Sequence, residues 1–240
     1  MRRPAFLMLP LLACLAAGVV LRAEKAPDLA ALATLEKTVA ADPENLRAAA
    51  DYRQLAIAQG QFDRAIDILE SLAKRKNRGP NILISHALAC VDKVPVAGDL
   101  RRLYLGRDAM DSLTKSIALK PTVLAYYIRG VVNLYYNTFI FKRIPRGIAD
   151  LEQALRMVAP DTPTILIAHV YRSLGDGHWR LDERDKAREV WKTGTARIGP
   201  DPELIRRLDD DEKKVGWAVS DALYAGTRVD TSLRGVVPSP

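Results

Sequence analysis

The sequence predicts an all-α protein in which pairs of helices stack side by side, and three observations indicate this. Proline-containing breaks recur about every 40 residues, from Asp42-Pro43 to Gly199-Pro200. The stretches between the breaks are rich in Ala, Leu, Lys, Arg, Glu and Gln, which favour helix. Finally, one spacing of small and large residues occurs once in each of the four intervals between breaks.

This spacing has a small residue at position i, a large apolar residue at i+4 and a small or apolar residue at i+7. All three positions lie on one stripe of a helix. The small residue lets a neighbouring helix approach closely, and the large residue fills the remaining space. The four sets are Ala65, Leu69 and Leu72; Ala109, Leu113 and Ser116; Gly147, Leu151 and Ala154; and Ala187, Trp191 and Gly194.

We expect residues 1–23 to be an export signal that precedes the helices. Arg2 and Arg3 are followed by a long apolar run, which is the pattern of a secretory signal. The sequence Leu-Leu-Ala-Cys that ends at Cys14 resembles a bacterial lipobox, so lipidation of Cys14 and cleavage near residue 23 are both open. An uncleaved anchor is disfavoured because the apolar run is marginal for crossing a membrane. The expected location is periplasmic or envelope-attached, with membrane association through Cys14 or an uncleaved anchor.

The composition excludes several classes of protein. With 48% hydrophobic and 27% charged residues, the chain is neither disordered nor a membrane protein with many spans. The net charge of +7 falls to +4 if Arg2, Arg3 and Arg22 leave with the signal, which is too little to indicate a nucleic-acid partner. Only two cysteines are present, Cys14 and Cys90, so no internal disulfide is expected once Cys14 is removed or lipidated.

We expect residues 24–226 to form four helical pairs with capping helices at both ends, and residues 227–240 to form an extended tail. Residues 123–136 are rich in Val, Ile and Tyr, which favour strands. Their length without a turn signal favours a helix instead. Trp217 is expected to anchor the closing helices.

Residues 174–200, which include the fourth of the repeated sets, carry a family resemblance. Leu174-Gly175, followed by Ala187, Trp191 and Gly194 and then by a proline, resembles the tetratricopeptide repeat. The resemblance covers roughly residues 29–208. It implies an α-solenoid of about four helix-turn-helix pairs with capping helices, and it carries no catalytic residues because the family is defined by packing positions.

The intervals between the repeated spacings are all longer than the family repeat of about 34 residues, so each contains extra residues. Two of these insertions, residues 92–103 and 137–146, fall between paired helices. Insertions in repeat arrays map to loops that often carry function. The second insertion mixes aromatic with basic side chains, which suits a membrane surface or an acidic partner, although the aromatics could equally pack under the next repeat. Its expected contact residues are Phe139, Phe141, Lys142, Arg143 and Arg146.

The resemblance implies that the first helix of each pair lines a concave groove, and that the groove binds a protein partner. Aromatic and arginine side chains are typical of such surfaces. By register, the groove residues are Arg47, Gln54, His86, Tyr127, Tyr135, His169, Arg172, Asp176 and Trp179.

Two alternatives compete with this assignment of the groove. Tyr127, Tyr135 and Trp179 could belong to the core between repeats, and Arg172 and Asp176 could form a surface ion pair four positions apart.

No catalytic residue, metal ligand or cofactor is expected. His86 and Cys90 lie four positions apart, but two ligands do not make a metal site, and Cys90 is better explained as a core residue. His178 is not expected to act as a general base, because the sequence around it contains nothing that resembles a nucleophile or an oxyanion donor.

The function that we expect is that of a non-enzymatic scaffold in the bacterial cell envelope, which binds a protein partner and aids assembly of an envelope complex. The alternative is a periplasmic component that binds a small molecule, for example for a transporter. In that case Tyr127, Tyr135 and Trp179 would form an apolar pocket, with His169 or Arg172 as its polar anchor.

Overall fold

The computed structural model describes residues 28–135, 142–224 and 231–237, and for residues 221–224 only the backbone. These ranges contain eleven α-helices and no strand. The helices are α1 (Leu29–Ala41), α2 (Leu46–Ala58), α3 (Phe62–Ala73), α4 (Pro80–Lys93), α5 (Asp99–Leu119), α6 (Val123–Tyr135), α7 (Ile144–Arg156), α8 (Thr164–Arg180), α9 (Arg184–Ile198), α10 (Pro202–Asp209) and α11 (Glu212–Tyr224). The all-α prediction is confirmed, and the β-rich stretch from residue 123 is helical.

The helices form the predicted pairs. α4 packs along α5, α6 along α7, and α8 along α9, while α2 shares its contacts among α1, α3 and α4. The pairs follow one another as a solenoid, since α3 contacts α4, α5 contacts α6 and α7 contacts α8. α1 precedes the first pair, and α10 and α11 follow the last.

Several of the prolines that punctuate the sequence begin helices. Pro80 and Pro202 are the first residues of α4 and α10. This position suits proline because the first helical N–H has no partner within the helix. At α10 the side chain of Asp201 accepts the next two free N–H groups, from Glu203 and Leu204, at 3.1 and 3.0 Å.

The recurring stripe is the packing surface between paired helices, because all twelve of its residues are buried. α6 and α7 cross backbone to backbone at two glycines: a Cβ at Gly147 would lie 2.8 Å from the carbonyl oxygen of Gly130. In the last pair, Gly175 gives room to the indole of Trp191, which is fully buried. A side chain at Gly147 or Gly175 would therefore force the paired helices apart.

The closing helices are not anchored as the sequence suggested. Trp217 is 63% exposed, so the expected role of this side chain as the anchor of the cap is wrong. The residues of α11 that pack on the last repeat are Val215 and Val219, which belong to the same core cluster as Trp191. Trp217 lies two positions from each of them, and residues two apart on a helix do not face the same side.

The first of the two insertions differs from the expected loop, and the second is described only in part. In the first, a short 3₁₀ helix (Val94–Val96) is followed two residues later by α5, which has 21 residues. Much of the predicted loop is therefore extra helix, whose apolar side chains Leu100 and Leu103 are 68% and 55% exposed. In the second, residues 137–141, with Phe139 and Phe141, lie outside the described residues, and Lys142 and Arg146 are exposed.

Residues 1–27 lie outside the described part of the chain, so the signal and the proposed modification of Cys14 stay predictions. Among the residues described, none of the helices combines the length and apolar character needed to cross a membrane.

The tail lies across the helices at residues 231–237. Thr231, Leu233 and Val236 are 2%, 6% and 7% exposed. The sequence predicted an extended tail, but these residues are not extended throughout. The N–H groups of Val236 and Val237 both donate to the carbonyl oxygen of Leu233 at 3.1 Å. The described part of the tail therefore turns at Arg234 and Gly235.

Candidate partner-binding face

The first helices of successive pairs are joined by contacts between polar or aromatic side chains. Arg53 on α2 donates to Asp92 on α4 at 2.7 Å. The rings of Tyr127 on α6 and His169 on α8 lie with their centroids 6.0 Å apart. The first contact places α2 beside α4, and the second places α6 beside α8. We call the surface of these four helices that holds residues 231–237 the first-helix face.

The tail contacts the first-helix face at both ends of its path. The guanidinium of Arg53 donates to the carbonyl oxygen of Thr231 at 2.6 Å, and the hydroxyl of Thr231 donates to the carboxylate of Asp92. Further along, the backbone of Gly235 comes so near to α8 that a Cβ there would lie 3.1 Å from Cδ1 of Ile165. A segment of seven residues thus crosses from α2 and α4 to α8.

The tail also buries apolar side chains in two different parts of the core. Leu233 belongs to the cluster built from the N-terminal helices, which includes Ile84 and Ile128. Val236 belongs to the next cluster, with Val131 and Leu166. The tail therefore bridges the two clusters.

The polar anchor of the tail is an ion pair away from solvent. The side chains of Arg53 and Asp92 are 1% and 3% exposed. Such a pair is costly to bury unless further hydrogen bonds satisfy its remaining donors and acceptors. Thr231 supplies one acceptor and one donor: its carbonyl oxygen accepts from Arg53, and its hydroxyl donates to Asp92. Binding the tail therefore compensates part of the free-energy cost of removing the ion pair from water.

Comparisons with known proteins agree with this architecture. A family model described as tetratricopeptide repeat matches residues 21–85. A crystal structure of a thermophilic TPR protein in Thermus thermophilus is similar to this chain, with a TM-score of 0.56 and 19% sequence identity, covering 75% of this chain and 87% of that chain. The chain has the tetratricopeptide-repeat fold. No curated protein matches the sequence.

The fold that the resemblance implied is thus confirmed. Tetratricopeptide-repeat proteins are generally scaffolds without catalytic activity that bind protein partners, and their stacked repeats create extended concave binding surfaces.

Within this fold, several predicted groove residues lie on the first helices with exposed or half-buried side chains. Arg47 is paired with Asp51 on its own helix at 2.7 Å, and the Arg47 side chain is 30% exposed. Gln54 is half-buried, next to Arg53. Tyr127 and His169 form the ring contact described above, so the structure brings together two groove residues from neighbouring repeats.

The predicted groove position of His86 is wrong. Its side chain is 6% exposed, and Nδ1 lies 2.8 Å from the hydroxyl oxygen of Ser112 on α5. It faces a cleft whose other lining residues, Glu70 and Asp111 among them, come mainly from the second helices α3 and α5. α4 is buried on all sides from Ile82 to Cys90, so both sides of this helix are covered by protein.

The neighbouring Cys90 is a core residue. It is 1% exposed, and its Sγ lies 3.7 Å from Nε2 of His86. Burial raises the pKa of the Cys90 thiol to about 12, which keeps it protonated and unreactive at neutral pH. Within the described residues, no group of three His, Cys, Asp or Glu side chains is arranged to hold a metal ion.

The predicted groove position of Trp179 is also wrong. Trp179 is 5% exposed and packs against Trp191, with ring centroids 5.7 Å apart. The guanidinium carbon of Arg184 lies 4.0 Å from the centroid of the Trp179 ring. Both tryptophans are part of the C-terminal core cluster, which is the alternative that the sequence left open.

The aromatic pocket expected for a small molecule is not formed. Tyr135 packs against the cluster of Val131 and Leu166, and burial raises the pKa of its phenol to about 12. Trp179 belongs to the next cluster and borders a different, open cleft of about 740 Å³ whose lining includes Arg180 and Trp217. The three aromatic side chains therefore do not surround one cavity.

Asp176 has a partner that the sequence did not predict. Arg207 on α10 donates to both carboxylate oxygens of Asp176, at 2.7 and 2.9 Å, and Arg207 is 4% exposed. Arg172 instead accepts a hydrogen bond through its carbonyl oxygen from Nε1 of Trp191 at 3.2 Å. Asp176 therefore attaches the C-terminal cap to the last repeat, and the alternative of a surface ion pair with Arg172 is wrong.

The residues that sequence reasoning missed are Arg53, Asp92 and Thr231. Arg53 is adjacent to the predicted Gln54, so an assignment shifted by one position would have found it. Asp92 and Thr231 had no signal beyond their polarity, because the contact joins parts of the chain that are 139 residues apart.

Proposed function

We propose that this protein is a non-enzymatic scaffold of the bacterial cell envelope, and that it binds a protein partner through the first-helix face. The observation that carries the proposal is the tail itself. A short peptide segment already lies on this face, held by the hydrogen bond from Arg53 to the carbonyl oxygen of Thr231 and by burial of Leu233. A surface that holds one peptide segment in this way has the chemistry to hold a segment of another protein.

The envelope part of the proposal is supported by the N-terminal sequence. Arg2 and Arg3, followed by the apolar run, have the pattern of an export signal, and the mature protein either begins near residue 23 or carries lipid on Cys14. In either form the scaffold meets partners in the periplasm or at the membrane surface. We infer that it assists assembly of an envelope complex, with residues 137–146 adding a contact to the partner or the membrane.

The test is native mass spectrometry of the protein purified gently from the envelope of its host. The mass of the mature chain identifies the cleavage site and any lipid. Two variants are compared with the wild type: Tyr127→Ala changes the first-helix face, and Lys115→Ala changes an exposed site on the second helix α5, where the Lys115 side chain is 53% exposed.

A stoichiometric protein partner that is lost with Tyr127→Ala and kept with Lys115→Ala supports the proposal. A partner that remains bound to both variants places the interaction elsewhere on the molecule and overturns it. A bound small molecule without a protein partner, or a full-length chain found in the cytoplasm, would also contradict it.

A further inference from the structure

The first-helix face recognises the tail at Thr231 through both main chain and side chain. Arg53 binds a carbonyl oxygen that any residue could supply, but Asp92 binds the hydroxyl of Thr231. Replacing that hydroxyl with a methyl group would remove a donor from a carboxylate that is 3% exposed. Buried acceptors that lose their donor are penalised strongly, so this position selects Thr or Ser.

The apolar anchors follow at fixed intervals. Leu233, two residues after Thr231, and Val236, five residues after it, are both buried, whereas Arg234 between them is exposed. Gly235 has a φ of +72°, in the left-handed region that favours glycine, and it lies against Ile165. The occupant of this face is therefore a hydroxyl residue followed by Leu, a Gly turn and Val.

The occupant is also covalently joined to the protein. Residues 225–230 connect it to α11, so it is always available at the effective concentration of a tethered ligand, which is in the millimolar range for short linkers. A partner in solution must compete with this segment for the same helices. The apparent affinity of the partner is its intrinsic affinity multiplied by the fraction of molecules in which the tail is released.

From these contacts we propose that residues 231–237 are a built-in competitor that occupies the first-helix face, and that the protein's partner is a peptide segment with the same pattern, Thr or Ser, then Leu two positions later and Val five positions later. The inference rests on the proposed scaffold function and adds its regulation and the chemistry of its ligand. Binding of the partner requires the tail to leave, so the free protein is held in a closed state.

The buried ion pair makes such an exchange feasible. When the tail leaves, Arg53 and Asp92 lose the partners supplied by Thr231, and water can solvate the groups that the tail covered. The arriving segment then restores a carbonyl oxygen and a hydroxyl. The exchange thus replaces one set of hydrogen bonds with an equivalent set, and it needs no rearrangement of α2 or α4.

The experiment uses the full mature chain and a fluorescein-labelled peptide with the sequence of residues 231–237, Thr-Ser-Leu-Arg-Gly-Val-Val. Binding is followed by fluorescence anisotropy. The variant Leu233→Asp/Val236→Asp expels the tail by placing charges where its apolar anchors lie. The matched control is Arg234→Asp, which changes charge at an exposed position of the same tail.

We expect the peptide to bind the Leu233→Asp/Val236→Asp variant at least about tenfold more tightly than the wild type or Arg234→Asp, because only in that variant is the face open. A second peptide with Val in place of the Thr should lose about tenfold in affinity for the open variant. Circular dichroism verifies that the open variant keeps its helices.

Three results would overturn the proposal. The peptide could bind all proteins equally, it could fail to bind a helical open variant, or the open variant could lose its helical signal, which would make the tail a folding element and not a competitor. Failure here is distinguishable from failure of the scaffold function. If no peptide binds while an envelope partner still depends on Tyr127, the scaffold stands without the competitor; if the peptide binds but no partner depends on Tyr127, the site stands without that function.

Discussion

Arg53 and Thr231 are 178 residues apart in the chain, and the guanidinium of Arg53 donates to the carbonyl oxygen of Thr231 at 2.6 Å. Few contacts in a repeat protein span such a separation, because each repeat normally packs only against its neighbours. This one attaches the C-terminal tail to the second helix. It also gives Arg53 a structural role that can be measured directly.

The variant Arg53→Met should lose about 3 to 5 kcal/mol of unfolding free energy, since it leaves the carboxylate of Asp92 buried without its cation. Urea denaturation followed by circular dichroism measures the loss. Arg47→Met on the same helix is the control: its pair with Asp51 is 30% and 45% exposed, so the expected loss is below about 1 kcal/mol. Equal losses in the two variants would contradict a buried ion pair at Arg53.

The C-terminal cap depends on Arg207. Its two hydrogen bonds to Asp176 join α10 to α8. Arg207→Met should speed hydrogen exchange throughout α10 and α11, because it removes the buried pair that holds the cap to the last repeat. Arg206→Met, next to it, should change exchange little, since Arg206 is 51% exposed and pairs only with Glu203 on its own helix. Similar exchange in both variants would refute this role.

Two substitutions of glycine by alanine should change the stability of the protein in opposite directions. Gly175→Ala places a Cβ inside the indole of Trp191 and should destabilise the protein by about 1 to 3 kcal/mol through overpacking. Gly216→Ala on α11 meets no atom within 4 Å and should stabilise the chain by roughly 0.5 to 1 kcal/mol, because alanine is the better helix former. Thermal unfolding measures both, and destabilisation by Gly216→Ala would show that α11 packs differently.

The free energy of unfolding should depend on the protonation of His86 under mildly acidic conditions. Burial lowers the pKa of His86 in the folded protein, while charges such as Glu70 and Asp108 oppose the shift. The unfolded chain therefore binds a proton before the folded protein does, so stability falls as pH decreases below about 6.5, by at most about 1.4 kcal/mol per pH unit.

The variant His86→Gln tests this dependence, because it keeps a polar group near Ser112 and cannot be protonated. Unfolding free energies at pH 7.5 and 5 should differ less in the variant than in the wild type. Groups elsewhere in the protein contribute equally to both chains and cancel. An unchanged pH dependence would exclude His86 as its source.

The helical pairs could be predicted because packing leaves a periodic record in the sequence. Ala109 and Leu113 lie on one stripe, and both are fully buried against the partner helix. Where burial is not periodic, the prediction failed. α4 is buried on every side near His86, so its sequence has no polar stripe to mark which side faces the groove.

The centre of the candidate site could not be predicted for a different reason. Arg53 and the predicted Gln54 differ by about 100° around α2, which is within the uncertainty of a register taken from one sequence. Thr231 lies in a segment with no helical period, and no local rule relates it to Asp92. Contacts of this kind depend on the path of the whole chain, which only the folded structure supplies.

The link between Arg53 and Thr231 has a consequence for how and when the chain folds. A linear repeat array can form its N-terminal repeats as soon as they are made, and its ends fray independently. Here the polar pair inside the first repeats receives hydrogen bonds from a segment that follows all eleven described helices, so this pair is completed after those helices have been made. Thermal unfolding should accordingly be a single cooperative transition while the tail is bound.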